Sequence, residues 1–219
     1  MCPLALFDLD NTLVDRAATY RRWADKFATD RRLEPDAVDW LCEADRDGFA
    51  SRHDVFEDAC RHFELAESPD DLVSAYWDDY IGLYEPDPAV NDALARLRSS
   101  GWRIGIVTNG PSTQHMKIAR AELLALVDAC CVSEEIGASK PDRRIFEEAM
   151  GRCGCSRDEA QPAWMIGDAP VHDIGGGRDA GLETIWIARG RQWEIADYRP
   201  VVEVSTVPQA VEVLLRSAA

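Results

Sequence analysis

Four acidic side chains, one lysine and a Thr-Asn-Gly turn stand at the ends of short apolar runs in this chain. Asp8 and Asp10 follow Leu4-Ala5-Leu6-Phe7 and are spaced i, i+2, so in extended backbone they point to one side. Ionised together they repel, and such a pair needs a cation between its members or one carboxyl kept protonated. Thr108-Asn109-Gly110 closes a second apolar run and offers a hydroxyl and backbone N–H groups before a helix, which suits an anionic oxygen. Lys140-Pro141 opens a predicted helix from Asp142 to Met150, the proline fixing the direction of a charged ammonium. Gly167-Asp168 ends a further run, and Asp173 follows it. Each signal alone is an ordinary turn; together they supply oxygen ligands for a hard cation and positive groups for a phosphate.

The elements that must carry these residues are legible as alternating strands and amphipathic helices. Leu4–Phe7, Trp102–Val107, Ala129–Val132, Ala163–Ile166 and Thr184–Ile187 read as buried strands, mostly followed by helical patterns or Gly/Asn/Asp/Pro turns. That alternation predicts an α/β fold with a doubly wound, mainly parallel sheet, whose strand carboxyl ends bind ligands. About eighty residues between the first two strands break the pattern. They hold four helical patterns, Tyr20–Arg32, Asp36–Asp47, Asp54–Phe63 and Asp70–Tyr84, before Glu85-Pro86-Asp87-Pro88 returns the chain to its main body. The expected organisation is a core domain of residues 1–14 and 88–219 with a helical domain, 15–87, inserted in it. Hinges are expected near Val14-Asp15 and Glu85–Pro88.

The net charge of −16 opposes a grip on a nucleic-acid polymer, whose phosphates need Lys and Arg. Residues 30–87 hold 18 acidic against five basic side chains, which reads as a solvated helical surface. No apolar run approaches the ~20 residues that span a bilayer, so no membrane partner is expected. Seven scattered cysteines without zinc-type spacing read as reduced thiols of a cytoplasmic protein. Cys153-Gly-Cys155 lacks the second pair that a metal site requires.

Asp8-Leu9-Asp10-Asn11-Thr12, Thr108-Asn109, Lys140-Pro141, and Gly167-Asp168 with Asp173 resemble, in order and spacing, the four motifs of the haloacid dehalogenase superfamily. The resemblance covers nearly the whole chain, the inserted helices resembling that superfamily's cap domain on a Rossmann-like core. It implies a Mg²⁺-dependent phosphohydrolase of a small phosphorylated metabolite. By the same resemblance, Asp8 is the nucleophile that becomes an aspartyl phosphate, and Asp10 is the general acid and base. Thr108 and Lys140 hold phosphoryl oxygens, with Thr12 and Asn109 supporting the phosphate loop. Asp8, the carbonyl of Asp10 and Asp168 ligate the metal, with Asp173 at or just behind it.

Members that break carbon–halogen bonds lack the second aspartate, so Asp10 favours the phosphatase reading; phosphomutases keep both aspartates and stay open. A receiver-like phosphorylation switch places its acidic residues differently and has no large insert, and a binding module has no need of the full motif set. Thr108-Asn109-Gly110 followed by Gln114 and Lys117 is similar to capped nucleoside monophosphatases and acylneuraminate phosphatases, implying a nucleotide or sugar phosphate. Pro170 and His172 depart from the small polar residues of the family's fourth motif and leave Asp173 open as direct ligand or support. His115 and His172 are read as structural. Arg21, Arg22, Trp23, Arg46, His53, Trp77 and Tyr80 are the insert residues that could meet a substrate, although Trp23 and Trp77 also fit a helical core stripe.

Overall fold

The computed structural model describes residues 3–155 and 162–217. Six strands, β1 (Leu4–Phe7), β2 (Arg103–Thr108), β3 (Ala129–Val132), β4 (Ala163–Gly167), β5 (Glu183–Ile187) and β6 (Val202–Val204), form one parallel sheet in the order β3-β2-β1-β4-β5-β6. The first five match the apolar runs. The sixth escapes a pattern reading because it is three residues long and only partly buried. Strand order reverses on either side of β1, which makes its carboxyl end the topological switch point where α/β folds bind ligands.

By compactness the chain divides into two units, Met1–Val14 with Pro86–Ala219, and Asp15–Glu85. The second is all helical: α1 (Arg16–Arg31), α2 (Ala37–Asp45), α3 (Arg52–His62) and α4 (Pro69–Gly82). Capping sets where these helices start. Asp15 accepts from Ala18 N at 2.9 Å, so α1 begins four residues before the apolar stripe predicted. Ser68 caps α4, whose first residue, Pro69, has no N–H to lose. Tyr20, Trp23, Phe27, Phe56 and Tyr76 pack as a ring-on-ring core, with Trp23 against Tyr76 at a 4.8 Å centroid separation. Beside it, Asp45 is buried and accepts from both terminal Arg16 nitrogens at 2.7 Å and from Arg52, so two guanidiniums share one carboxylate. Trp23 and Tyr80 are thus core, Trp77 is half-buried, and Arg21, Arg22, Arg46 and His53 are exposed.

In the first unit α5 (Pro88–Ser99) starts at its cap Asp87, which accepts from Ala89 N at 2.9 Å. It is followed by α6 (Gln114–Arg120), α7 (Ser133–Ile136), α8 (Arg143–Arg152), α9 (Gly176–Asp179) and α10 (Val207–Ser217). Helix α8 buries Ile145, Phe146, Ala149 and Met150 against Leu4, Leu6, Val107 and Met165 of the sheet. Lys140-Pro141 precedes α8 as a cis peptide, and the helix starts later than expected, with Asp142 as the cap that accepts from Arg144 N.

Contrary to the expectation from their scattered spacing, the cysteines are not all reduced thiols. Cys155 is disulfide-bonded, whereas Cys42, Cys60, Cys130, Cys131 and Cys153 are free; Cys2 lies outside the described residues. Pairing depends on which chain segments meet in space, which the scattered spacing does not encode. No described helix is long and apolar enough to cross a membrane.

Candidate active site

The motif residues all lie in the first unit: Asp8, Thr108 and Asp168 at or next to the carboxyl ends of β1, β2 and β4, and Lys140 between α7 and α8. Phe7 pairs with Ile106 and with Ile166, so Asp8, Val107 and Gly167 stand at one level across the sheet. Beyond Asp8 the backbone folds back sharply: Thr12, Leu13 and Val14 donate to the Leu9 carbonyl, and Asn11 adopts a left-handed φ of 63°. Asp8 continues the strand while Asp10 sits on the turn. The two carboxylates face different cationic side chains. Each has its own lysine: Lys140 Nζ reaches Asp8 Oδ1 at 2.6 Å, and Lys117 Nζ reaches both Asp10 oxygens at 2.8 and 2.9 Å.

Lys140 also donates to Asp173 Oδ1 at 2.7 Å, and Asp173 Oδ2 accepts from Ala169 N at 2.8 Å. Asp8, Asp168 and Asp173 are all buried, with carboxylate oxygens within 4.8 Å of one another. Burial is the largest influence on Asp8 and pushes its carboxyl up to about 8, with Asp173 and Asp168 adding to the rise and Lys140 opposing it. Burial and Asp173 likewise raise Asp168 to about 6, against the pull of Arg191 and Arg189. Lys140 is held firmly charged, because Asp173 and Asp8 outweigh the burial that disfavours its ammonium. Buried carboxylates crowded in this way call for a compact dication with oxygen preference.

Both ends of the Asn109 amide are engaged by the Lys140 backbone. It donates to the Lys140 carbonyl at 2.9 Å and accepts from Lys140 N at 2.8 Å, so it fixes the backbone that presents the lysine. Thr108 is buried at the end of β2, and Thr12 Oγ1 is a buried hydroxyl without a hydrogen-bond partner. An orphaned hydroxyl beside Asp8 and Asp10 in sequence suits an anionic oxygen. His115 pairs with Glu135 at 2.8 Å, and His172 lies half-buried in the π-helical segment Pro170–Gly175.

The sequence singled out Gln114 and Lys117 by resemblance only, not as partners of Asp10, and did not point to Arg189 or Arg191. Gln114 Nε2 donates to Asp10 Oδ2 at 2.8 Å and Thr108 Oγ1 at 2.6 Å, while Lys117 pairs with Asp10 as above. Their i, i+3 spacing on α6 was the available signal, since it puts both on one helix face. Arg189 and Arg191 close the site from beyond β5, donating to Asp168 Oδ2 at 3.1 and 2.9 Å. Arg189-Gly190 turns the chain there with φ of 51° and 77°.

A haloacid dehalogenase-like hydrolase family model matches residues 2–181. The glyceraldehyde 3-phosphate phosphatase of Pyrococcus abyssi is 31% identical over 87% of this chain and 83% of its own. That of Methanopyrus kandleri is 32% identical over 87% of this chain and 86% of its own. The fold matches that of the Bacillus subtilis HAD-hydrolase YfnB, solved with magnesium, at a TM-score of 0.78 and 23% identity over 97% of this chain and 98% of that one. The chain belongs to the haloacid dehalogenase-like hydrolases.

Proposed function

We propose that the chain is a Mg²⁺-dependent phosphatase of a small phosphorylated metabolite, working through an aspartyl phosphate on Asp8. The observation that carries this reading is the convergence of Asp8, Asp168, Asp173 and Lys140 in one buried group, with Asp10 held apart on its own lysine. Asp8 and Asp168 are the carboxylates that would hold Mg²⁺ together with the Asp10 carbonyl. Both Asp173 oxygens are already engaged, by Lys140 and Ala169, so Asp173 supports the lysine and the loop after β4. Bound there, the cation would screen a carboxylate from a phosphate dianion and stabilise charge on the phosphoryl oxygens.

Asp8 attacks phosphorus through the oxygen that Lys140 leaves uncovered. A bond forms from Asp8 to phosphorus as the ester P–O bond breaks, and Asp10 gives its proton to the departing oxygen. Lys140 and the hydroxyls of Thr108 and Thr12 take the developing charge of the phosphoryl group. In the second half Asp10 removes a proton from water, whose oxygen attacks phosphorus. The bond to Asp8 breaks, and inorganic phosphate leaves with Asp8 restored. Asp10, absent from the family's carbon–halogen branch by resemblance, supports an ester substrate.

The helical unit is proposed as the cap that chooses among substrates, in keeping with relatives whose named substrates differ: glyceraldehyde 3-phosphate, a pyrimidine 5′-nucleotide and ribulose 1,5-bisphosphate. The test is phosphate release from triose phosphates, pentose phosphates and nucleoside 5′-monophosphates, with Mg²⁺ and with chelator. Metal-dependent release from a subset is expected, and full activity in excess chelator would overturn the reading. Substituting the exposed Arg46 or the half-buried Trp77 should reorder the panel rather than abolish hydrolysis, and an unchanged ranking would remove those positions from substrate choice.

A further inference from the structure

Lys117 is a buried ammonium that the reaction as drawn does not use. Its side chain is 5% exposed, yet the Asp10 carboxylate that it grips is 21% exposed. Removing an ammonium from water costs several kcal/mol unless it is well paired. Here the buried partner serves the more open one. Gln114 completes the grip from the same helix face: its Nε2 donates to Asp10 Oδ2 at 2.8 Å and to Thr108 Oγ1 at 2.6 Å. Two donors thus make three contacts that cover both Asp10 oxygens and tie one of them to the hydroxyl at the end of β2.

The turn before α6 is built to admit this grip. Gly110 has a φ of 151°, and a Cβ there would lie 3.0 Å from Cγ and Cδ of Gln114. Any larger residue would push the glutamine off Asp10 and Thr108. Ser133 Oγ accepts from Gly110 N at 2.9 Å and so holds the turn.

We propose that Lys117 and Gln114 are positioning residues that aim the Asp10 carboxylate at the ester oxygen and then at the attacking water. Lys117 fixes the carboxylate's direction, while Gln114 also fixes its distance from the phosphoryl-binding Thr108. The inference rests on the assignment of Asp10 as proton donor and acceptor. Misplacing a catalytic group by about 1 Å costs on the order of 10²-fold in rate, so removal of the clamp should be felt in the proton-transfer steps.

The test uses Lys117→Met, which keeps the length of the stem, beside Lys117→Arg, Gln114→Ala and Asp10→Asn, each assayed with Mg²⁺ on an alkyl phosphate and on nitrophenyl phosphate. With the alkyl ester, Lys117→Met should lose roughly 10²-fold in kcat with little change in KM. With nitrophenyl phosphate it should give a burst of about one equivalent of nitrophenol and then slow turnover, because that leaving group needs no proton but the water step still does. Lys117→Arg should recover part of the loss. Gln114→Ala should change KM as well as kcat, through Thr108. A purely structural ion pair predicts something else: equal losses on both esters, without a burst, alongside a lowered melting temperature. That pattern, or wild-type rates on the alkyl ester, would overturn the proposal. If Asp10→Asn itself gave no leaving-group dependence, the failure would lie in the role assigned to Asp10 and not in the clamp alone.

Discussion

Lys140 bridges Asp8 and Asp173 at 2.6 and 2.7 Å, and its backbone is pinned on both sides by the Asn109 amide. Such a group is preorganised, so its charge costs no rearrangement when a phosphoryl group accumulates negative charge. Lys140→Ala should lower kcat by about 10²–10³-fold, in the range found for removing one preorganised donor, and steady-state assays at saturating Mg²⁺ measure it. At this scale the sequence was most informative about placement at a strand end, as for Asp8, Thr108 and Asp168. It was least informative where the partner lies far along the chain. Nothing local to Asp10 announces Lys117, 107 residues away, or ties Asn109 to the backbone of Lys140, 31 residues away.

At the scale of elements, the site depends on how closely β4 and the segment after it approach. A Cβ on Gly167 would fall 2.2 Å from Asp173 Oδ2, so this strand end must be glycine for the carboxylate to reach Lys140. Gly167→Ala should therefore cost about 1–3 kcal/mol of stability through overpacking and should depress kcat. Gly151→Ala, on α8 with open space around it, should stabilise by about 0.5–1 kcal/mol; denaturant titration of both variants separates the cases. In the helical unit, removing Asp45 would take from Arg16 and Arg52 the carboxylate that they share. Asp45→Ala should cost about 3–5 kcal/mol, seen as faster hydrogen exchange in α1 to α3. Although burial opposes it, the two guanidiniums hold the Asp45 carboxyl below its ordinary value. Its contribution is present above the ordinary carboxylate pKa and is lost as pH falls through the depressed value. Strand positions were legible because a parallel sheet buries continuous apolar runs. Helix starts were misjudged where a cap, not the apolar stripe, sets the first turn, as at Asp15 and Asp142.

Across the whole molecule the buried acids make stability, metal and pH one problem. Asp8 is raised to about 8 and Asp168 to about 6, both from 3.8, so between those limits the folded protein holds more protons than the unfolded chain. Stability without metal should then fall as pH rises from about 4 to 8. Protons and cation compete for the same oxygens. Mg²⁺ should accordingly raise the melting temperature more at pH 8 than at pH 5.5, and Asp168→Asn should flatten that difference; calorimetry in chelator and in Mg²⁺ measures both. The central claim concerns a covalent bond, and Asp10→Asn mixed rapidly with nitrophenyl phosphate, quenched in acid and mapped by mass tests it most directly. A phosphate adduct on Asp8, forming with a burst of about one equivalent of nitrophenol and absent from Asp8→Asn, is the predicted result. A burst without an adduct at Asp8, or hydrolysis that persists in Asp8→Asn, would contradict it.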